Sequence, residues 1–494
     1  MKTAALTQTL SSQATWPLHG VAQTQIIELE AQAALPTHTL MQRAGFATAQ
    51  LALAIAPHAQ QIWIACGPGN NGGDGLEAAI HLHAWGKHPI VTWLGQEGHA
   101  PADAQQAWRR AKHAGVTFAE HAPEHFDLAI DALLGIGAQR APEGVMAQWL
   151  HVMQSNCAPL LCLDIPTGLV ADTGEWLGQP LSHSTRGQPQ RHTLSLLTLK
   201  PGLFTADGQD AAGQVWFNHL GVDVGTIPTA WLQQNQAPPA PRIQNSHKGS
   251  FGDVAVMGGA PGMSGAAVLA AVAALHGGAG RVFVGLLDSE AKHAITATHP
   301  SLMVRSPTAL DLHTATVVCG CGGGDAIRPL LPNVLSSSLC LVLDADALNA
   351  IARDTSLQEL LKKRSTRHKP TILTPHPLEA ARLLNCSVKD IQKNRIHAAQ
   401  QLANTFQSVV VLKGSGSIVA SPNHAPIINA SGNALLATAG TGDVLAGLIG
   451  AYIARSEDPF SGTYQAVYMH GHIATKWPND APALDAALLA ASVR

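Results

Sequence analysis

The stretch Ala439-Gly440-Thr441-Gly442-Asp443-Val444-Leu445-Ala446-Gly447 runs from small residues through an acid into an apolar helical pattern. Glycines let a backbone turn tightly and come close to a ligand. The helix that follows offers unpaired N–H groups and the positive end of its dipole, which suits a phosphate. A carboxylate at that mouth is repelled by phosphate, so Asp443 needs a reason to be there. One reason is an ordinary N-cap. The other is a base that takes a proton from a substrate hydroxyl while the Gly440–Gly442 amides hold developing charge. An isolated G-T-G-D favours the cap, but the flanking segments favour the base.

Outward from that turn, the C-terminal half repeats one arrangement. Short apolar runs at 254–257, 281–284, 316–319, 340–343, 371–374 and 409–412 read as strands, and many end at Gly, Asp or His. α/β sheets place ligands at such ends. They carry Gly258-Gly259-Ala260, Gly320-Cys321-Gly322-Gly323, Asp344-Ala345-Asp346, Thr374-Pro375-His376-Pro377-Leu378-Glu379 and Lys413-Gly414-Ser415-Gly416-Ser417. Taken singly, Asp344 and Asp346 cap turns and Glu379 is a first-turn helix acid. Lys413 and its glycines read equally as a hairpin and as a nucleotide-binding loop. Single readings leave the order and spacing of the set unexplained.

The N-terminal half alternates strand and helix patterns as well. The run 61–66 leads into Gly67-Pro68-Gly69-Asn70-Asn71-Gly72-Gly73-Asp74-Gly75, and 77–85 reads as the following helix. The glycines satisfy G-x-G-x-x-G formally, but the next strand lacks the acid that a dinucleotide ribose wants. Asn-Asn and Asp74 suit a cation, or a ligand's amide and hydroxyls, better than a pyrophosphate. Asp131 and Asp164 end two further apolar runs, so three acidic strand ends form a convergent polar site. Strands alternating with helices predict a parallel sheet with crossovers in both halves.

Composition narrows the function classes. The 494 residues predict two or three domains, and Gln234–Pro241, with three prolines, reads as the linker between halves. A formal charge of −3 gives no electrostatic case for nucleic acid or an acidic membrane surface. Seven scattered cysteines without C-x-x-C predict free thiols in a reducing compartment. His470 and His472 diverge on a helix, so they share no metal. No h-region, transit pattern or membrane-length apolar run is evident, which predicts a soluble cytoplasmic protein.

These residues carry a resemblance. Leu40–Gly45, the Asn-Asn loop, Asp131-Ala132-Leu133-Leu134-Gly135-Ile136-Gly137, Asp164-Ile165-Pro166-Thr167-Gly168 and Lys200-Pro201-Gly202 resemble the NAD(P)H-hydrate epimerase domain. The C-terminal set resembles the ribokinase-like NAD(P)H-hydrate dehydratase. The resemblance implies an α/β protein of two domains: a Rossmann-like parallel sheet in 1–230, a Pro-rich linker at 231–244, and a ribokinase-like domain in 245–494. It implies that Asn70, Asn71, Gly72, Gly73, Asp74, the loop Gly135, Ile136, Gly137, Ala138, Gln139, Arg140 and Ala141, and Asp164 bind hydrated nucleotide. Asn71, Asp131 and Thr167 would bind potassium; the family usually has Ser where Thr167 stands. Ala267, Gly322, His376 and Asp443 would contact the hydrated nicotinamide, with Asp443 and Asp164 doing proton chemistry. Lys413, Gly414, Ser415, Gly416, Ser417 and Gly442 would hold adenine nucleotide. Glu379 would orient magnesium through water. ADP is favoured over ATP, and the partners are hydrated NADH or NADPH and that nucleotide, in a homo-oligomer. Ala260-Pro261 and Cys321 depart from the family's usual turns. The alternative is a small-molecule kinase fused to an NAD(P)-binding regulatory domain.

Overall fold

Apolar runs with no alternation form strands buried on both faces, and parallel sheets require such strands. The computed structural model describes residues 6–10, 15–178, 190–233 and 244–493. It divides into one unit built on Trp16–Ala230 and another on Trp231–Arg494. The Pro-rich segment 234–243 lies outside the described residues.

In the first unit the strands are β1 (Gln61–Cys66), β2 (His88–Trp93), β3 (Thr117–Ala119), β4 (Leu128–Ala132), β5 (Leu160–Leu163), β6 (Arg191–Leu196) and β7 (Gln214–Asn218). They lie in the order β7-β6-β5-β4-β1-β2-β3, all parallel, with the short strand Gln8–Thr9 antiparallel against β7. Strand order reverses between β1 and β4, so a crevice opens beyond their C-terminal ends. The Asn-Asn run is not a loop. Only residues 67–69 turn, and the helix Asn70–Ala84 begins at Asn70. Its glycines serve packing: a Cβ on Gly73 would stand 2.4 Å from the Met41 methyl, and one on Gly75 2.7 Å from the Ala132 Cβ. Bulkier residues would push this helix off the helix Thr39–Ile55 and off the sheet.

The second unit contains β8 (Ala230–Gln233), β9 (Asp253–Gly258), β10 (Arg281–Leu286), β11 (Met303–Arg305), β12 (Thr316–Cys319), β13 (Cys340–Leu343), β14 (Thr371–Leu373), β15 (Val409–Leu412), β16 (Ile418–Ser421) and β17 (His424–Asn429). Their order is β11-β10-β9-β12-β13-β14-β15-β16-β17-β8. Pairing is parallel from β11 to β15, and β15-β16-β17 form an antiparallel meander. Trp231–Gln233, read from sequence as linker, pair with Ile427–Asn429. The prolines begin only after this strand, so nothing stops it from adding to the sheet. Order reverses between β9 and β12, where the glycine turns at 258–259 and 320–323 meet. The Ala-rich helix Ser264–His276 packs on the helix Thr441–Ile453 closely enough that a Cβ on Gly447 would stand 1.9 Å from the Ala270 carbonyl oxygen.

Two candidate active sites at strand ends

In the first unit a cavity of about 430 Å³ occupies the reversal point. Asn70, Asn71, Asp74, Gly135, Ile136, Gly137, Ala138 and Asp164 line it, as expected from sequence. Thr24, Glu28 and Asp103, which sequence reasoning did not single out, also line it, as does Lys200, which the sequence marked only as part of the Lys200-Pro201-Gly202 segment. Asp164 holds a φ of +62°, a left-handed conformation uncommon outside glycine. The Leu196 amide donates to its Oδ1 at 3.2 Å, and the Lys200 ammonium meets the same oxygen. Lys200 is fully buried and also donates to the Leu196 carbonyl at 2.7 Å. Burial, then Asp164 and Glu28, push the Asp74 carboxyl well above its usual range.

Asp131 lies behind that wall, buried beside Thr167. The Thr167 hydroxyl donates to Asp131 Oδ1 at 2.7 Å, and the Thr167 amide donates to Oδ2 at 3.0 Å. Burial raises the Asp131 carboxyl, and the Thr167 bonds oppose that rise. Asn71 is buried with no hydrogen-bond partner for Nδ2. The buried Asp131 carboxylate, without a cationic side-chain partner among the described residues, and the Thr167 hydroxyl are oxygen ligands that suit a monovalent cation; Asn71 has only its Oδ1 to add, because the unpartnered Nδ2 is a donor. Five of the expected residues stay out of the cavity. Gly72 and Gly73 are buried in helix packing, Gly72 against the Gly67 carbonyl. Gln139, Arg140 and Ala141 are exposed beyond the cavity wall.

In the second unit the candidate groups gather around Asp344. Lys413 Nζ and Thr374 Oγ1 each donate to Asp344 Oδ1 at 2.7 Å. Asp344 therefore does not cap the helix Ala345–Ala352; its side chain turns inward. Asp346 does brace a turn, accepting from the Gly324 amide at 2.8 Å. Lys413 sits in the turn between β15 and β16, so the hairpin reading is correct, and its ammonium reaches the site. Burial opposes the Lys413 charge, but Asp344 and Glu379 outweigh it and hold the ammonium above its ordinary range. A Cβ on Gly442 would stand 3.4 Å from Lys413 Nζ, which places the glycine of the opening turn against this lysine. Gly440, at φ +90°, starts the helix Thr441–Ile453 with its first-turn amides free of intrahelical partners.

Asp443 lies in that first turn. Burial, with the Asp344 carboxylate adding to it, pushes its carboxyl up to about 6. The oxygens of Asp344 and Asp443 and the Cys321 Sγ lie within 4.8 Å of one another. His376 and Glu379 form a capping box. The Leu378 amide donates to His376 Nδ1 at 3.1 Å, and the His376 amide donates to Glu379 Oε2 at 2.8 Å. Burial raises the Glu379 carboxyl to about 7 and lowers His376. His470, weighed in the sequence only as a metal ligand, is buried with Nε2 2.9 Å from the Thr441 carbonyl. Gly322 holds a φ of +59° in the facing turn. Ala267 is fully buried and offers no surface, because its methyl packs behind the Gly259 turn. Gly414 and Ser415 are exposed in the hairpin turn, whereas Gly416 is buried and Ser417 is tied to the Gly414 carbonyl at 3.1 Å.

The fold and sites define a two-unit α/β enzyme, one unit with a cavity of acids and a buried lysine, the other with a glycine turn and helix N-terminus beside an acid. Family models match both units: NAD(P)H-hydrate dehydratase over residues 254–493, and YjeF-related protein N-terminus over 37–202. The bifunctional NAD(P)H-hydrate repair enzyme Nnr of Escherichia coli is 36% identical over 88% of this chain and 84% of its own length. The ADP-dependent (S)-NAD(P)H-hydrate dehydratase of Neisseria meningitidis serogroup B is 42% identical over 47% of this chain and 78% of its own. A solved ADP/ATP-dependent NAD(P)H-hydrate dehydratase of Bacillus subtilis, co-crystallized with ATP/Mg2+, is 29% identical, covering 51% of this chain and 90% of its own at a TM-score of 0.44. The chain belongs to the family of bifunctional NAD(P)H-hydrate repair enzymes.

Proposed function

We propose that this chain restores NADH and NADPH from their hydrates, the second unit dehydrating the S epimer with ADP and the first interconverting R and S. The observation that carries the reading is Asp443, a buried carboxyl raised to about 6 at the head of an anion-seating helix, beside Lys413 and Asp344. Asp443 takes the proton of the ring hydroxyl as that oxygen attacks the terminal phosphorus of ADP, and AMP leaves. The first-turn amides stabilise the transferring phosphoryl group. Phosphate is a better leaving group than hydroxide. The ring nitrogen expels it, a ring C–H proton is lost, and the dihydronicotinamide is restored. Glu379 would hold magnesium through water, which supplies charge neutralisation at the phosphates.

In the first unit Asp164 and Lys200 face the cavity together, so a proton acceptor and donor stand at one wall. Asn71, Asp131 and Thr167 would hold potassium, which supplies a fixed charge behind that wall. The seven cysteines among the described residues are free, which supports a reducing cytoplasmic setting. No helix among the described residues is long and apolar enough to cross a membrane.

The test is absorbance in the dihydronicotinamide band with mixed-epimer hydrated NADH, ADP and magnesium. Full recovery, beyond the S fraction and faster than spontaneous epimerisation, is expected. A stable phosphorylated product without recovery would establish the small-molecule kinase reading instead.

A further inference from the structure

We infer that Asp344 is a positioning residue of the phosphoryl-transfer site: it aims the Lys413 ammonium at the Gly442 turn and stands as a fixed negative neighbour to Asp443. The inference rests on the reading of Asp443 as base. Asp344 is buried, and both of its side-chain oxygens are engaged. Lys413 Nζ and Thr374 Oγ1 each donate to Oδ1 at 2.7 Å, and the Cys321 thiol donates to Oδ2 across 4.0 Å. These donors come from three places: the turn between β15 and β16, the residue after β14, and the glycine turn 320–323. The backbone is held as well. The Asp344 amide donates to the Cys319 carbonyl at 3.1 Å. A Cβ on Gly320 would stand 2.0 Å from the Asp344 carbonyl oxygen, so the glycine turn closes directly over it. A carboxylate tied on every side has one orientation.

That orientation decides two things. A lysine stem is flexible, and its ammonium acts as a point charge. Here Asp344 Oδ1 draws the ammonium to a spot where a Cβ on Gly442 would stand 3.4 Å from Nζ, at the opening of the helix Thr441–Ile453. The first-turn amides that take the transferring phosphoryl group in this mechanism lie at the same opening. Without the Asp344 charge the stem is free to swing away from it. The second consequence concerns the base. An Asp344 oxygen lies within 4.8 Å of an Asp443 oxygen. Two carboxylates this close resist ionising together. An ammonium, a hydroxyl and a thiol all give their hydrogens to Asp344, so Asp443 is the member that bears the repulsion. Burial, and then Asp344, push the Asp443 carboxyl up to about 6. An ion pair that only braced the fold would have neither effect.

The experiment uses the full chain, with S-hydrate dehydration followed against pH for Asp344→Asn, Lys413→Met, the double variant of both, and Asp443→Asn. The groups facing Asp443 are Asp344, Asp346, Lys413 and Cys321. Of the helices packed around it, one brings His470 to the Thr441 carbonyl, and another has Asp485 exposed at its cap. The helix Ser264–His276 has its one titratable group, His276, in its last turn, next to the Gly277 that packs on Ala451. Asp344→Asn keeps the shape and removes the charge. It should lower kcat/KM for ADP about tenfold and leave KM for the hydrate unchanged, because the misplaced ammonium serves the phosphates. It should also move the acid limb down from about 6 by about one pH unit, because a like charge is gone. Lys413→Met should move the limb up, because a positive neighbour is gone while Asp344 remains. A folded Asp344→Asn whose limb stays at or above the native position would overturn the inference, as would a loss confined to KM for the hydrate. If Asp344→Asn does not fold, the double variant replaces it, since it leaves neither charge buried alone. Its limb should lie below that of Lys413→Met, from which it differs only by the charge at position 344; equal limbs would overturn the inference. If Asp443→Asn turns over S hydrate at near the native rate, the base reading itself fails; if it is inactive while Asp344→Asn keeps the native limb, only the role of Asp344 fails.

Discussion

Lys200 and Asp443 show how burial sets chemistry one residue at a time. Lys200 has no exposed surface, and its ammonium is satisfied by Asp164 and the Leu196 carbonyl. Removing one partner of such a pair leaves the other without compensation. Lys200→Met should destabilise the first unit by about 3 kcal/mol, read as a fall in its denaturant midpoint. An unchanged midpoint would mean that water already compensates Asp164. Asp443 illustrates the pH consequence. Its carboxyl is raised to about 6, so the ionised base forms only as pH climbs through that value. Dehydration should therefore fall tenfold per unit below about pH 6 and level off above it. A rate flat down to pH 5 would exclude this carboxyl as the base.

At the scale of elements, glycines decide how closely helices approach. Gly447 lets the helix Thr441–Ile453 lie on the Ala270 carbonyl, where an added Cβ would stand at 1.9 Å. Gly447→Ala should cost about 1–3 kcal/mol or more in the second unit. Gly69 is the contrast: its φ is −98° and a Cβ there meets nothing within 4 Å. Gly69→Ala should stay within about 0.5 kcal/mol of native. Thermal unfolding of the two variants side by side checks the difference, and equal losses would refute the packing argument. The same elements show what the sequence could disclose. Central strands such as Thr316–Cys319, Cys340–Leu343 and Val409–Leu412 were legible because burial on both faces writes an unbroken apolar run. The helix start at Asn70 was not, because glycines chosen for close packing look like loop glycines. The strand Ala230–Gln233 was hidden by the prolines just beyond it. Asp164 was legible as an acid at a strand end, and Asp74 and Asp443 as acids in the glycine turns that open helices. The inward turn of Asp344 onto Lys413 was not, because the residues lie far apart in sequence and a capping position explains Asp344 equally well.

Across the whole molecule, each candidate site is lined by residues of a single unit: 24–220 for the cavity with Asp164, and 321–443 for the cluster around Asp344. Neither site borrows a side chain from the other among the described residues, so the two activities should separate by mutation and recombine by mixing. Asn71→Ala should remove epimer exchange and leave S-hydrate dehydration intact, so recovery from mixed epimers stops at the S fraction. Asp443→Asn should do the reverse, exchanging epimers with no recovery of absorbance. With no side chain shared between the sites, free release of the hydrate from one site would let it enter the other on any copy of the chain. An equimolar mixture of the two variants should then recover the full dihydronicotinamide absorbance, at a rate that rises with total protein. Recovery that still stops at the S fraction in the mixture would mean that epimerisation and dehydration require both intact sites on one chain. Epimer exchange lost in both variants would mean that Asp443 also serves the first unit, contrary to the separation of the two sites.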